Sequence, residues 1–223
     1  MLTANRLLTV VGILGIGAGT GAAVGAVVDG EEGAIIGALV GAGGSALYTY
    51  LLAGGLMLTM DKLFFILTTL ATLGCGLMAG FFFSFSALVM PSLARQPQAA
   101  GMAAMQTVNV VVFNPWFGVA FVGTPAACVL VMIYSLLRRR DAGAIYIIIG
   151  GALYLVGTLL VTVFFNVPRN EALAAVTTTD PGAAGLWAGY LTSWTAWNHV
   201  RTAAALAGAA SLIIGIIYRA ARR

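Results

Sequence analysis

Apolar positions in this chain neither alternate nor recur every third or fourth place; they run on without a break. Six such runs can be marked, at 7–28, 34–59, 63–90, 110–137, 142–167 and 195–218. Polar groups and prolines punctuate them: Asp29-Gly30-Glu31-Glu32, Asp61-Lys62, Pro91, Arg138-Arg139-Arg140, Pro168, and Arg219 with Arg222-Arg223. A helix of about 20 apolar residues crosses roughly 30 Å of hydrocarbon at 1.5 Å per residue. In hydrocarbon every backbone N–H and C=O must be paired within the protein, which a helix does by itself. The pattern therefore predicts an all-α integral membrane protein with six spans. Between the third and fourth runs, residues 97–108 alternate Ala, Met and polar side chains, which predicts a short helix lying at the interface. A long loop is expected from Pro168 to about Trp194.

Composition agrees with the pattern. The chain is 61% hydrophobic and 8% charged, against about a quarter charged residues in soluble domains. A soluble enzyme, a secreted disulfide scaffold and a nucleic-acid binder are all excluded on that ground. Cys75 and Cys128 fall inside apolar runs with no CxxC pair, and read as small buried hydrophobes. The first 23 residues resemble a signal peptide and are read as a retained helix.

Charge sets an expected orientation. Six crossings put both termini on one side, with Arg6, Lys62, Arg138, Arg139, Arg140, Arg219, Arg222 and Arg223. Arg95, Arg169 and Arg201 fall on the other. Basic residues concentrate on the cytoplasmic side, so both termini are expected to be cytoplasmic, in a plasma (inner) membrane. All four tryptophans, Trp116, Trp187, Trp194 and Trp197, fall at the opposite, outer end.

Glycine divides the chain in two. Gly17, Gly21 and Gly25 recur every fourth residue, as do Gly33, Gly37 and Gly41 after the acidic turn. That spacing lines one helix face and lets two helices approach closely. Residues 1–59 are therefore expected to form a glycine-zipper hairpin, either packed on itself or docking a homo-oligomer or partner complex. Residues 60–223, beginning Met60-Asp61-Lys62, are expected to form a four-helix membrane domain.

Polar side chains near membrane helices are costly and usually serve a purpose. They gather in three places: Gln106 to Asn109 with Asn114; Asn166 to Glu171; and Trp194 to Thr202. By the topology, all three meet at the outer end. Trp194, Trp197, Asn198 and Arg201 follow an i, i+3, i+4, i+7 spacing, one face of a helix. His199 is the one histidine, and an imidazole suits proton transfer at neutral pH. One His, two mid-depth Cys and few carboxylates do not supply a protein-only metal site. No cofactor is predicted. Haem held through His199 needs only that one ligand, but nothing else in the sequence supports it.

These residues resemble a known family. Gly80-Phe81-Phe82-Phe83-Ser84-Phe85-Ser86 with Val89-Met90-Pro91, Met105 to Asn109 with Asn114-Pro115-Trp116-Phe117, Asn166-Val167-Pro168-Arg169-Asn170-Glu171, and Trp194 to Thr202 are similar to successive motifs of the anthrone oxygenases. The resemblance covers about 63–218, and the hairpin lies outside it. It implies a four-helix membrane domain. It also implies O2-dependent oxidation of an anthrone-like aromatic or polyketide substrate with no obvious cofactor. On that reading His199 would be the base. Arg201, Asn198 and Asn109 or Asn114 would stabilise the substrate oxyanion, and Trp116, Trp194 and Trp197 would stack on the rings. Asn166 and Asn170 would complete the binding surface. The expected partners are the lipid bilayer and a hydrophobic aromatic molecule, with no nucleic acid. The rival expectation is a non-catalytic structural or accessory subunit, or a haem or quinone carrier.

Overall fold

A computed structural model describes residues 60–222. The first two apolar runs, the zipper glycines and the expected hairpin all lie outside the described residues. Within them the protein is helical throughout. Helix α1 is Met60–Ala94, α3 Pro115–Leu137, α4 Ala144–Ala174 and α5 Ala183–Ala220, each long and apolar enough to cross a membrane. The short helix α2, Gln98–Val111, follows α1. The protein is an all-α integral membrane protein.

Two of the expected stops do not stop their helices. Pro91 and Pro168 each lie in the first turn of a segment that continues the same helix. A proline lacks the N–H of the i→i−4 ladder and crowds the preceding turn. In both helices a widened π turn comes just before the proline, Phe85–Val89 in α1 and Thr162–Asn166 in α4. The wider turn takes up the lost bond, so the helix runs on. The expected loop before Trp194 is also helix, because α5 starts at Ala183. There Trp187, Tyr190 and Trp194 bury one face. Small and polar residues cover the other, which lowers the average hydropathy and hides the helix from a search for apolar runs.

The helices differ in length, and that difference builds two layers. At one end of the bundle Asp141 pairs with Arg219 at 3.4 Å and Arg138 at 3.7 Å. Helix α3, with 23 residues, rises about 34 Å from that end and matches one hydrocarbon thickness. Helices α1, α4 and α5 have 35, 31 and 38 residues, about 47–57 Å, and so project beyond it.

The membrane layer has its own core of Phe64, Ala71, Cys75, Met78, Phe82, Cys128, Ile147, Tyr154 and Leu212. Here α4 and α5 touch backbone to backbone. A Cβ on Gly150 would lie 2.9 Å from the Gly208 carbonyl oxygen, and one on Gly208 would lie 3.0 Å from that of Gly150. Large apolar side chains such as Leu73, Leu77, Val119 and Ile133 face outward.

The projecting layer is a separate core of Met90, Met102, Met105, Leu173, Trp187, Tyr190 and Trp194, with α2 laid across it. Gln106 fixes α2 by donating from Nε2 to the carbonyls of Leu173 at 2.8 Å and Val176 at 2.9 Å. The link to α5 is a turn in which Asp180 accepts from the Thr177 N–H and hydroxyl, which holds its carboxyl below the usual range.

Candidate functional site

The two cores do not meet everywhere. Between them, at the level where α3 begins, lies a cavity of about 450 Å³. Its walls are aromatic: Phe81, Phe82 and Phe85 from α1, Phe117 and Phe121 from α3, and Trp194 from α5. The rings pack on one another, with Phe81 to Phe117 at 5.2 Å, Phe117 to Phe121 at 5.3 Å and Phe85 to Trp194 at 5.9 Å between centroids. Such offset and tilted pairs make stiff, flat walls.

One cation faces this apolar space. Arg201 lines the cavity and is 4% exposed. It lies about 27 Å along α5 from Arg219 at 1.5 Å per residue, near the far edge of the hydrocarbon layer. Its guanidinium sits over Phe82 at 4.3 Å and over Trp194 at 5.1 Å, the attractive arrangement of a cation on a ring face. NH2 donates to Asn198 Oδ1 at 2.6 Å and NH1 to Thr162 Oγ1 at 3.3 Å. Nε has no acceptor. Among the described residues no carboxylate pairs with it. A buried charge normally has a counter-ion, and Arg201 has only neutral oxygens and rings.

The surroundings hold this arginine still. Asn198 is fully buried and donates from Nδ2 to the Phe82 carbonyl at 2.6 Å and to Ser86 Oγ at 2.5 Å. Ser86 and Phe82 flank the start of the α1 π turn. On the other side, Thr158 in the α4 π segment Leu155–Leu160 donates to the Arg201 carbonyl at 3.3 Å, and Asn166 Nδ2 donates to the Trp194 carbonyl at 3.2 Å. The π turns of α1 and α4 thus both lie against the stretch of α5 from Trp194 to Arg201. Widened turns of this kind are uncommon and often occur at functional sites.

The sequence-derived residues divide into three groups. Asn109, Asn114, Asn170, Trp194 and Arg201 all line the cavity. Two of these asparagines carry structural bonds as well. Asn114 caps α3, its Oδ1 accepting from the Phe117 N–H at 3.1 Å, and Asn170 Oδ1 accepts from the Tyr190 hydroxyl at 2.8 Å. Asn198 and Asn166 stand behind the lining as supports. Trp116, Trp197 and His199 do not line the cavity. Trp116 is 86% exposed, Trp197 stacks on Phe165 at 3.7 Å, and His199 is exposed, about 100° around α5 from Asn198 and nearly opposite Arg201. Among the described residues no hydrogen bond carries the imidazole toward the site.

Sequence reasoning missed the phenylalanine walls and Thr162. The signal was present as two i, i+4 pairs, Phe81 with Phe85 and Phe117 with Phe121. Inside a membrane helix such pairs look like any lipid-facing residue until the cavity is seen.

The cavity can hold a flat apolar molecule and offer it one fixed positive charge. It also offers donors without acceptors, since Trp194 Nε1 and Arg201 Nε are both buried and unpartnered. Donors of this kind suit oxygen acceptors on a ligand.

Residues 113–211 match the anthrone oxygenase family. The matched range covers α3, α4 and most of α5, while α1 and α2 lie outside it. No match was found among curated proteins, and none among solved structures.

Proposed function

We propose that the anthrone oxygenase domain of this membrane protein oxidises a flat, hydrophobic aromatic ketone or phenol with O2 inside the aromatic-walled cavity. The observation that carries this reading is Arg201, a buried cation without a carboxylate among the described residues, facing an apolar space between phenyl rings. In an anthrone the carbonyl oxygen gains negative charge as a ring CH2 loses its proton. A fixed guanidinium beside that oxygen stabilises the enolate more than the ketone, and so makes the C–H more acidic. A low-dielectric cavity strengthens the effect.

The electron-rich carbon then gives its electrons to O2 and a C–O bond forms. The resulting hydroperoxide loses its second C–H proton as the O–O bond breaks, releasing water and leaving the quinone. One O2 is reduced, one CH2 becomes a carbonyl, and one water leaves. In this reading Arg201 holds the oxyanion and Asn198 orients Arg201. The phenylalanine walls hold the rings flat, and the first proton passes to water. His199 is not needed as base.

The basic residues Lys62, Arg138 to Arg140 and Arg219 support a cytoplasmic position for the end of the bundle opposite α2.

The test is O2 consumption and quinone formation from anthrone by the purified protein in vesicles. Turnover that Arg201→Gln abolishes supports the reading. No turnover by the intact protein, or equal turnover by the variant, rejects it.

A further inference from the structure

A second hollow, of about 320 Å³, adjoins the cavity on one side. Phe81, Phe85, Val108, Val112, Asn114 and Phe117 line both. The hollow adds only Thr107 and Val111, both exposed. It is therefore a vestibule, running from the aromatic walls outward between α1 and the α2–α3 turn.

The rim of that vestibule is apolar and uncovered. Val111 is 65% exposed and Phe113 84%, beside the 86% exposed Trp116. The same outward line continues down α3 through Val119 and Val122. Large apolar side chains clustered in this way are costly in water, at about 25 cal/mol per Å². They cost nothing in hydrocarbon, and α3 starts at the hydrocarbon boundary. The polar side of the projecting layer lies elsewhere, with Arg95, Gln96 and Asp180 on exposed turns and Glu171 exposed near the end of α4.

The fixings of α2 are uneven in a way that suits a mouth. Its first turns are seated where Gly101 meets the Leu93 carbonyl and Trp187, and its middle is tied by Gln106. The last turn, Val108 to Val112, has no side-chain bond to α1 across the vestibule among the described residues.

We propose that the ligand enters sideways from the bilayer, through the cleft between α1 and the end of α2, as a lipid-dissolved aromatic molecule bearing an acidic oxygen. The apolar rim admits the ring system from lipid. Arg201, at the inner end, receives the oxygen. The proposal rests on the cavity being the ligand site, but not on the oxidation.

Binding tests it without turnover. The probe is anthracene-9-carboxylate, an aromatic anion, added to phosphatidylcholine vesicles that hold the full protein. Energy transfer from the protein's tryptophans reports its arrival. The double variant Thr107→Phe and Val111→Phe narrows the mouth, and Val163→Phe, exposed on α4 away from both hollows, is the control. In the double variant, association and dissociation are both expected to slow by about tenfold or more with Kd unchanged, since a gate alters rates and not equilibrium. The control should keep wild-type rates. Wild-type rates in the double variant overturn the lateral entry, as does a loss of affinity with no slowing. Absence of probe binding to the intact protein overturns it as well. Intact gated binding without quinone formation rejects the oxidation and leaves the entry route standing.

Discussion

Helix α5 carries two arginines that stack on aromatic rings, and they differ in partner, position and burial. Arg219 lies over Phe64 at 4.5 Å and has Asp141 at 3.4 Å. Arg201 lies over Phe82 at 4.3 Å and is hydrogen-bonded only to Asn198 and Thr162. Arg219 stands in the last turn of its helix, where the dipole also favours a cation. Arg201 stands in the middle and is more deeply buried. Stability alone would ask for the opposite allocation, with the acid placed beside the more buried charge. On the proposed reading, a cation left without an acid, in a rigid frame beside a cavity, is kept for a ligand.

That contrast can be broken experimentally, and the largest effect is expected at Arg201. Arg201→Gln should lower turnover of anthrone by about 10²–10³, the loss typical when one oxyanion donor is removed. It should leave the unfolding midpoint unchanged or raised, because an uncompensated buried charge is removed. Lost turnover with a lowered midpoint would make Arg201 structural, like Arg219.

Asn198→Ala comes next. It removes the acceptor for Arg201 and the buried donor to the Phe82 carbonyl and the Ser86 hydroxyl, for a stability loss of about 1–3 kcal/mol, with turnover falling alongside it. Circular dichroism melts and O2 uptake read the two effects separately. Wild-type behaviour in both would deny Asn198 its positioning role.

Gly208→Leu tests the membrane layer alone. With the Gly150 carbonyl 3.0 Å from the new Cβ, α4 and α5 must move apart, at about 1–3 kcal/mol. The midpoint should fall further than in Arg219→Gln. That substitution loosens an ion pair whose Asp141 is 36% exposed, worth about 0–1 kcal/mol, and should not change turnover.

The smallest effect is expected for His199→Ala, with turnover and midpoint both near wild type. A large loss of turnover would return the base to His199 and require α5 to turn its exposed face to the substrate.

Much of the fold was legible from the runs of apolar residues. Four of them became the four described spans, because helix is the local answer to a backbone in hydrocarbon. The stops at Pro91 and Pro168 were misread because a π turn, visible only in three dimensions, absorbs each proline. The start of α5 was misread because Trp187, Tyr190 and Trp194 are buried by packing against α2, and hydropathy along the chain does not register a partner. For the site, the spacing of Trp194, Asn198 and Arg201 placed them together, since they share one face of one helix. It placed His199 beside them in sequence, yet one residue along a helix is about 100° around it, and the imidazole faces away.

By itself the sequence determined the class, the number of spans in the described region and the family resemblance. Each follows from what a single segment must do in a bilayer, or from motifs read one at a time. Only the tertiary structure decided that Arg201 has no acid among the described residues, and that phenylalanines from α1 and α3 close around it with Trp194 of α5. Those facts depend on which groups from distant helices come within a few ångströms. No local pattern carries that information, because the same phenylalanine serves equally well facing lipid or lining a cavity.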